Sequence, residues 1–335
     1  MCRSPDVPAR LRSTCPRSAL DRLPALMLLS ALVLLATPRP ARAQGPAWLA
    51  TFGSLGSAPG QFNYAHHFAV SQTSGDLYVG DLLNDRVQVL TSSGAFVREW
   101  FVGLADGIAL GKLDTVYVVS SNRVLVYTST GTFVRSFGSF GTGNGQFRFA
   151  ADVGVDSQGN TYVTDMDNYR IQMFAPNGQY LLQWGTQGSG PSQFQTPFGL
   201  LVDANDIVWV SDGGMGKIQR FNSSGAFLSS FGVQGTGPGQ WDFPGKPCLD
   251  PDGRLLVPDS GNGRVDVHQQ DGTFRLLWGS PGTANGQFTH PTAVATDAAG
   301  TVYVLDKDNH RIQKFANVST NVRSSSWGAL KQLFR

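Results

Sequence analysis

Gly141-Thr142-Gly143-Asn144-Gly145-Gln146-Phe147 is one of a set of glycine-rich phrases, each closed by a glutamine and an aromatic residue. The glutamines Gln146, Gln193, Gln240 and Gln287 follow one another at 47 residues, leading into Phe147, Phe194, Trp241 and Phe288. A fixed step of this size marks a stack of small supersecondary units, none of which buries its apolar face alone.

Residues 184–231 hold one such period. After the glycine-rich loop come a short apolar run, Leu200-Leu201-Val202, and a turn at Asn205-Asp206. A second run, Ile207 to Val210, ends at Asp212; a third, Lys217 to Phe221, alternates apolar and polar positions. Ser224-Gly225 turns the chain into a fourth, Ala226 to Phe231. Four short strands joined by tight turns form a meander, with no room for helices. The apolar runs read as inner strands and the alternating ones as lying further out. The second strand recurs as Leu77-Tyr78-Val79, Val116-Tyr117-Val118, Thr161-Tyr162-Val163, Leu255-Leu256-Val257 and Val302-Tyr303-Val304, giving six modules. The expectation is an all-β, six-bladed β-propeller of four-stranded antiparallel blades, a ring that hides its sheet edges by closing. Composition agrees: 40 of 335 residues are glycine, and Glu99 is the sole glutamate.

The order of glycine-rich loop, Gln-Phe, strand, V-Y-V-x-D and x-x-N-x-R-I-Q resembles the NHL repeat family. Residues 165–172 (Asp-Met-Asp-Asn-Tyr-Arg-Ile-Gln) and 306–313 (Asp-Lys-Asp-Asn-His-Arg-Ile-Gln) are nearly its consensus, and the resemblance spans residues 48 to about 328. It implies the propeller and says little about function, because the family spans many functions.

Two departures stand out. Gln61 and Gln146 are 85 residues apart, one period plus 38, so the second module is short and Phe101-Val102-Gly103-Leu104 replaces its glycine-rich loop. Seven outer-strand signals, ending at Phe52, Trp100, Phe137, Trp184, Phe231, Trp278 and Trp327, compete for six blades. Ala47 to Phe52 is the preferred strand to complete the last blade, because serines interrupt Val322 to Trp327.

Residues 1–43 lie outside the pattern. Five arginines precede the apolar run Leu23 to Ala36, and Ala41-Arg42-Ala43 follows, the layout of a cleavable signal peptide. The expected organisation is a leader at 1–43, a propeller at 44–328 and a tail at 329–335, exported to the periplasm or beyond, with no transmembrane segment in the mature chain. Without the leader's seven Arg and two Asp, the formal charge of +2 becomes −3, which offers nucleic acid no general attraction. Cys248 alone remains of three cysteines, so no intramolecular disulfide forms and a monomer held by packing is expected.

Loops into the first strand and loops after the second share one face. The residue just before each first strand guards the channel mouth there: His66, Asp106, Ala151, Phe198, Gly245 and Thr292. The repeat is distantly similar to peptidylglycine amidating lyases, and that resemblance implies zinc held by histidines at this position in several blades. Only His66 matches, and a zinc site needs at least three protein ligands. Lactonase-like propellers would imply a divalent cation such as calcium on a channel glutamate, yet Glu99 falls in an outer strand. His66 with Asp106 is the candidate acid/base or metal-binding pair. His66, His67, Asp106, Phe198 and Thr292 are the candidate ligand-binding rim. Asp81, Asp165, Asp212, Asp259 and Asp306, each followed by Arg or Lys five residues on, read as a structural clamp in every blade where it recurs. Two function classes follow: a module that binds a protein, peptide or carbohydrate, and a metal-dependent lyase or hydrolase at the mouth.

Overall fold

A computed structural model describes residues 45–318. The expected leader, the alternative closing strand at 322–327 and the tail at 329–335 lie outside the described residues. Six four-stranded antiparallel sheets follow one another in chain order. The sheet of blade three is representative: Ala150–Val155, Thr161–Asp165, Arg170–Phe174 and Tyr180–Trp184, each strand pairing with the next. Blade one runs from Phe68 to Phe101, blade two from Ala105 to Phe137, and blade four from Pro197 to Phe231. Blade five runs from Cys248 to Trp278. Blade six contains Pro291–Thr296, Val302–Asp306 and Arg311–Phe315, and its fourth strand is Trp48–Phe52 from the other end of the chain. Phe52 stands opposite Ile312 and Trp48 opposite Phe315, so the preferred N-terminal strand does close the ring.

Second strands are buried throughout because both their faces meet neighbouring blades. Third strands keep the partial exposure that the alternation promises in blades two, four and six, but are wholly buried in blades one, three and five, where in blade three even Arg170 and Gln172 are buried. Their polar side chains reach inward to the glycine-rich loop. Gln172 Nε2 donates to the Gln146 carbonyl at 2.7 Å, Gly145 N–H donates to Gln172 Oε1 at 2.9 Å, and Arg170 Nη2 donates to the Gly143 and Gln146 carbonyls. The two recurring phrases of the sequence are thus halves of one hydrogen-bonded unit. The outermost strands alternate between more exposed and more covered positions.

The aromatic that closes each phrase is driven between blades. Phe62, Phe147, Phe194, Trp241 and Phe288 have no exposed surface, and burying each side chain contributes about 1.5–3 kcal/mol. Gly185, at φ +111°, leaves the preceding outer strand where a Cβ would stand 2.8 Å from the Phe194 ring. The expected clamp forms in four blades: Asp81, Asp165, Asp259 and Asp306 lie 2.7–2.9 Å from Nε of Arg86, Arg170, Arg264 and Arg311. Blade four departs from it. Lys217 Nζ donates to the Ser189 carbonyl instead, and Asp212 is held by the Gln195 and Thr196 amides. Without a guanidinium beside it, burial raises the Asp212 carboxyl above its usual range despite those amide bonds.

Candidate functional site

Each first strand enters the ring at the channel mouth, and the six mouth positions converge there as the module alignment requires. His66 Nδ1 lies 2.8 Å from Asp106 Oδ1, across blades one and two. His67 Nδ1 lies 3.2 Å from the Asp106 carbonyl and 3.7 Å from its carboxylate. Thr292 Oγ1 donates to the His66 carbonyl at 2.7 Å and fixes that backbone from blade six. The Phe198 ring stands 5.1 Å from His67 and 6.4 Å from His66, and Tyr64 covers His66 from the other side at 5.1 Å.

Burial by itself would raise the Asp106 carboxyl, but hydrogen bonds and charge from His66 and His67 outweigh it and hold it at about 2. Asp106 is therefore a carboxylate at neutral pH and accepts from both neighbours. With Nδ1 of each imidazole turned towards Asp106, Nε2 of each faces away from it. Both Nε2 atoms are sealed from solvent and lack a partner among the described residues.

The expected rim is mostly a plug. His67 has no exposed surface, and Asp106, Thr292 and Phe198 keep 6–7%. Phe198 packs on Phe243 at 5.4 Å and fills the mouth from blade four. The surface left to solvent on this face includes apolar side chains on the flanking loops, Tyr64, Leu83, Leu104, Phe149 and Phe243, each more than one-third exposed, interleaved with exposed Arg148, Asp167, Gln195 and His290.

The metal readings find no footing in these residues. Ala151, Phe198, Gly245 and Thr292 occupy the other mouth positions, and no group of three His, Cys, Asp or Glu side chains able to hold a metal ion occurs among the described residues. Zinc or calcium with three protein ligands does not fit this mouth. Glu99 sits in the outer strand Phe96–Phe101 and pairs with Arg86 at 2.7 Å, far from any channel role. His268 is buried between blades against Trp241, and His290 pairs with Asp308 on a loop. Burial pushes the Cys248 thiol well above its ordinary range, leaving an inert small hydrophobe.

One step below the mouth lies an ion pair that the sequence reading missed. Lys246 Nζ crosses the channel from blade five to Asp152 Oδ1 of blade three at 2.8 Å, and also donates to the Ile108 and Val153 carbonyls. Asp152 Oδ2 accepts from Leu200 N–H. The signal was available: the residues following the six mouth positions are His67, Gly107, Asp152, Gly199, Lys246 and Ala293, with one acid and one base. Gly107 and Gly199 are required there, because a Cβ would lie 2.6 Å from the Asp152 Cα and 2.5 Å from the Lys246 Cα. Blade five lets Lys246 in because Pro258 stands where Thr164 and Ser211 bond the first strands of blades three and four. Lacking a hydroxyl and an N–H, Pro258 offers only its carbonyl, which takes the Gly245 N–H at 2.8 Å, and Lys246 pairs instead with blade six, where its N–H donates to the Thr292 carbonyl at 2.8 Å.

Residues 288–315 match the NHL repeat. Solved structures of similar shape include a streptogramin B lyase, at 17% identity over 75% of this chain and 78% of that one, with a TM-score of 0.55. A gluconolactonase of Xanthomonas campestris has 16% identity over 83% of this chain and 99% of that one, with a TM-score of 0.59. An auxiliary nutrient binding protein of Bacteroides ovatus has 16% identity over 82% and 77%, with a TM-score of 0.61. No curated protein sequence matches this one. At such identities the likeness is one of fold. With a matched repeat at 288–315 whose loop, clamp and strand pattern recurs around the ring, the chain is an NHL-type six-bladed β-propeller.

Proposed function

We propose that this is an exported binding module that presents the His66 face of its propeller to a protein or peptide. One observation carries the reading: the mouth is filled, and apolar side chains from loops of blades one, two, three and five surround the filling. A sealed floor with a rim of Tyr64, Leu83, Leu104, Phe149 and Phe243 suits a shallow contact, where exposed aromatics supply most of the affinity. Carbohydrate stacked on Tyr64 or Phe243 fits the same rim on a smaller footprint. No helix among the described residues is long and apolar enough to cross a membrane.

A second reading, acid/base catalysis, is favoured by the His66–Asp106 geometry. A carboxylate on Nδ1 orients the imidazole and leaves Nε2 to take a proton. That Nε2 is covered in this structure, so the reading requires Phe198 or Tyr64 to move aside, and binding is preferred.

The test is a selection of displayed peptides and a glycan array against the mature protein, followed by Tyr64→Ala and Phe243→Ala variants. Binders that lose at least tenfold affinity in both variants support the module. Binders indifferent to both variants, or none at all, sink it. Turnover of a bound ligand that His66→Ala abolishes without weakening binding would move the assignment to the second reading.

A further inference from the structure

The channel's large cavity opens on the face opposite His66. It measures about 670 Å³ and is walled by the far halves of the six first strands, with Lys246 at its floor. Its staves carry the apolar side chains Val70, Leu110, Val155, Val202 and Leu249, while about half of the lining is polar. Its cation, Lys246, is spoken for, and both its carboxylates are hydrogen-bonded, Asp203 by neutral donors alone. The three N–H groups of Lys246 go to Asp152, Ile108 and Val153. Asp203 accepts from the Asn205 and Ile207 amides and from Trp209 Nε1. Asp250 accepts from the Asp252 and Arg254 amides and from Arg254 Nε. The side-chain polar atoms of the lining left without a partner among the described residues are neutral: the Asn205 amide and the Oε1 atoms of Gln72 and Gln270.

We propose that this cavity is a second ligand site, separate from the His66 face, that takes an amphiphilic small molecule without negative charge. Its volume is within the range of small-molecule pockets, and the ion pair makes it a dead end rather than a pore. An anion entering it would lose its hydration with no free cation to meet and with the Asp203 carboxylate facing it, whereas an apolar body loses nothing against the side chains of the staves. A carbonyl, hydroxyl or amide on that body meets the collar of Gln72, Asn205 and Gln270 at the opening. Nothing in this assignment depends on what the opposite face binds.

The probe is 6-propionyl-2-dimethylaminonaphthalene, neutral and fluorescent, with a ketone on an apolar ring system. Saturable binding with a blue-shifted emission is expected. Ala204 and Ala298 are exposed rim residues lining the opening, so Ala204→Trp and Ala298→Trp narrow it without entering the core. Either variant should weaken probe binding, and the pair should weaken it at least tenfold with the melting temperature unchanged. The anionic probe 1-anilinonaphthalene-8-sulfonate should bind at least tenfold more weakly than the neutral one. Absence of saturable binding, indifference to both single variants, or preference for the sulfonate would overturn the assignment. Should the double variant fold poorly, the two single variants and the probe comparison still decide.

Discussion

Asp266 stands where blades one, three, four and six carry Gln88, Gln172, Gln219 and Gln313. In place of a neutral amide that clamps the loop, blade five buries a second carboxylate beside Asp259, and both lie about 3 Å from one guanidinium, Arg264. Burial is the main reason that Asp259 is raised to about 6, and the Asp266 charge adds to it against the pull of Asn262, the Asp242 amide and Arg264. The folded-state value lies above the unfolded one, so the folded protein holds this proton more tightly. Stability is therefore fullest below about pH 4 and falls as pH rises towards 6, by about 3 kcal/mol for a shift of this size. Asp266→Gln should restore the donor to the Gln240 carbonyl, raise stability at pH 7 by about 1–2 kcal/mol, and flatten that slope; urea midpoints across pH 4–7 check both. Asp106 has the opposite sign. Its folded-state value is depressed to about 2, so its contribution is present above about pH 4 and lost as pH falls towards 2. Asp106→Asn should cost about 2 kcal/mol at pH 7 and almost nothing at pH 2, read as the pH dependence of the gap between the two midpoints.

Among elements, the glycine-rich loop separates two roles of glycine that one motif conceals. At Gly60, φ is +79° and a Cβ would meet nothing, so Gly60→Ala should cost about 1 kcal/mol through backbone conformation alone. At Gly141, a Cβ would lie 2.3 Å from Gln146 Oε1, the atom that accepts from Gly143 N–H and ties the loop. Gly141→Ala should cost clearly more, about 2–3 kcal/mol, and equal losses in thermal melts would contradict this account. The loop, the clamp and the order of strands were legible because they recur: most modules repeat the same hydrogen-bond partners, so spacing alone announces them. The first strand of blade five was not legible from its own residues. Its departure is caused by Pro258 on the neighbouring strand, and it becomes visible only when Lys246 is seen facing Asp152 across the ring. The plug was hidden for the same reason: periodicity places His66, Asp106 and Phe198 at one mouth without saying that Phe198 fills it. Removing one member of the Lys246–Asp152 pair strands a buried charge. Lys246→Met or Asp152→Leu alone should cost about 3–5 kcal/mol, while the double variant should recover most of the loss. Additive losses in that cycle would show that the two side chains act separately.

At the scale of the ring, the sheets are wedges whose apolar faces are buried only by their neighbours, so closure sets the stability of the whole. The seam is the pairing of Trp48–Phe52 with Arg311–Phe315, four registered residue pairs that join the two ends of the described chain. Its side-chain packing extends past the seam. Phe52 lies against the core shared by blades one and six, and a Cβ on Gly94 of blade one would lie 2.4 Å from its ring. Deleting residues 44–53 removes that filling and leaves the Arg311–Phe315 strand with an unpaired edge on a sheet evolved to be covered. Losing one partly buried aromatic and a ladder of backbone bonds amounts to about 4 kcal/mol, against the marginal stability of a domain this size. The truncated protein should melt at least ~8 °C lower and show new edge-driven self-association in light scattering. A synthetic peptide of residues 44–53, added in trans, should restore part of the melting temperature by occupying the vacated edge. An unchanged melting temperature after deletion would mean that another strand closes the ring, and the seam assigned here would be wrong.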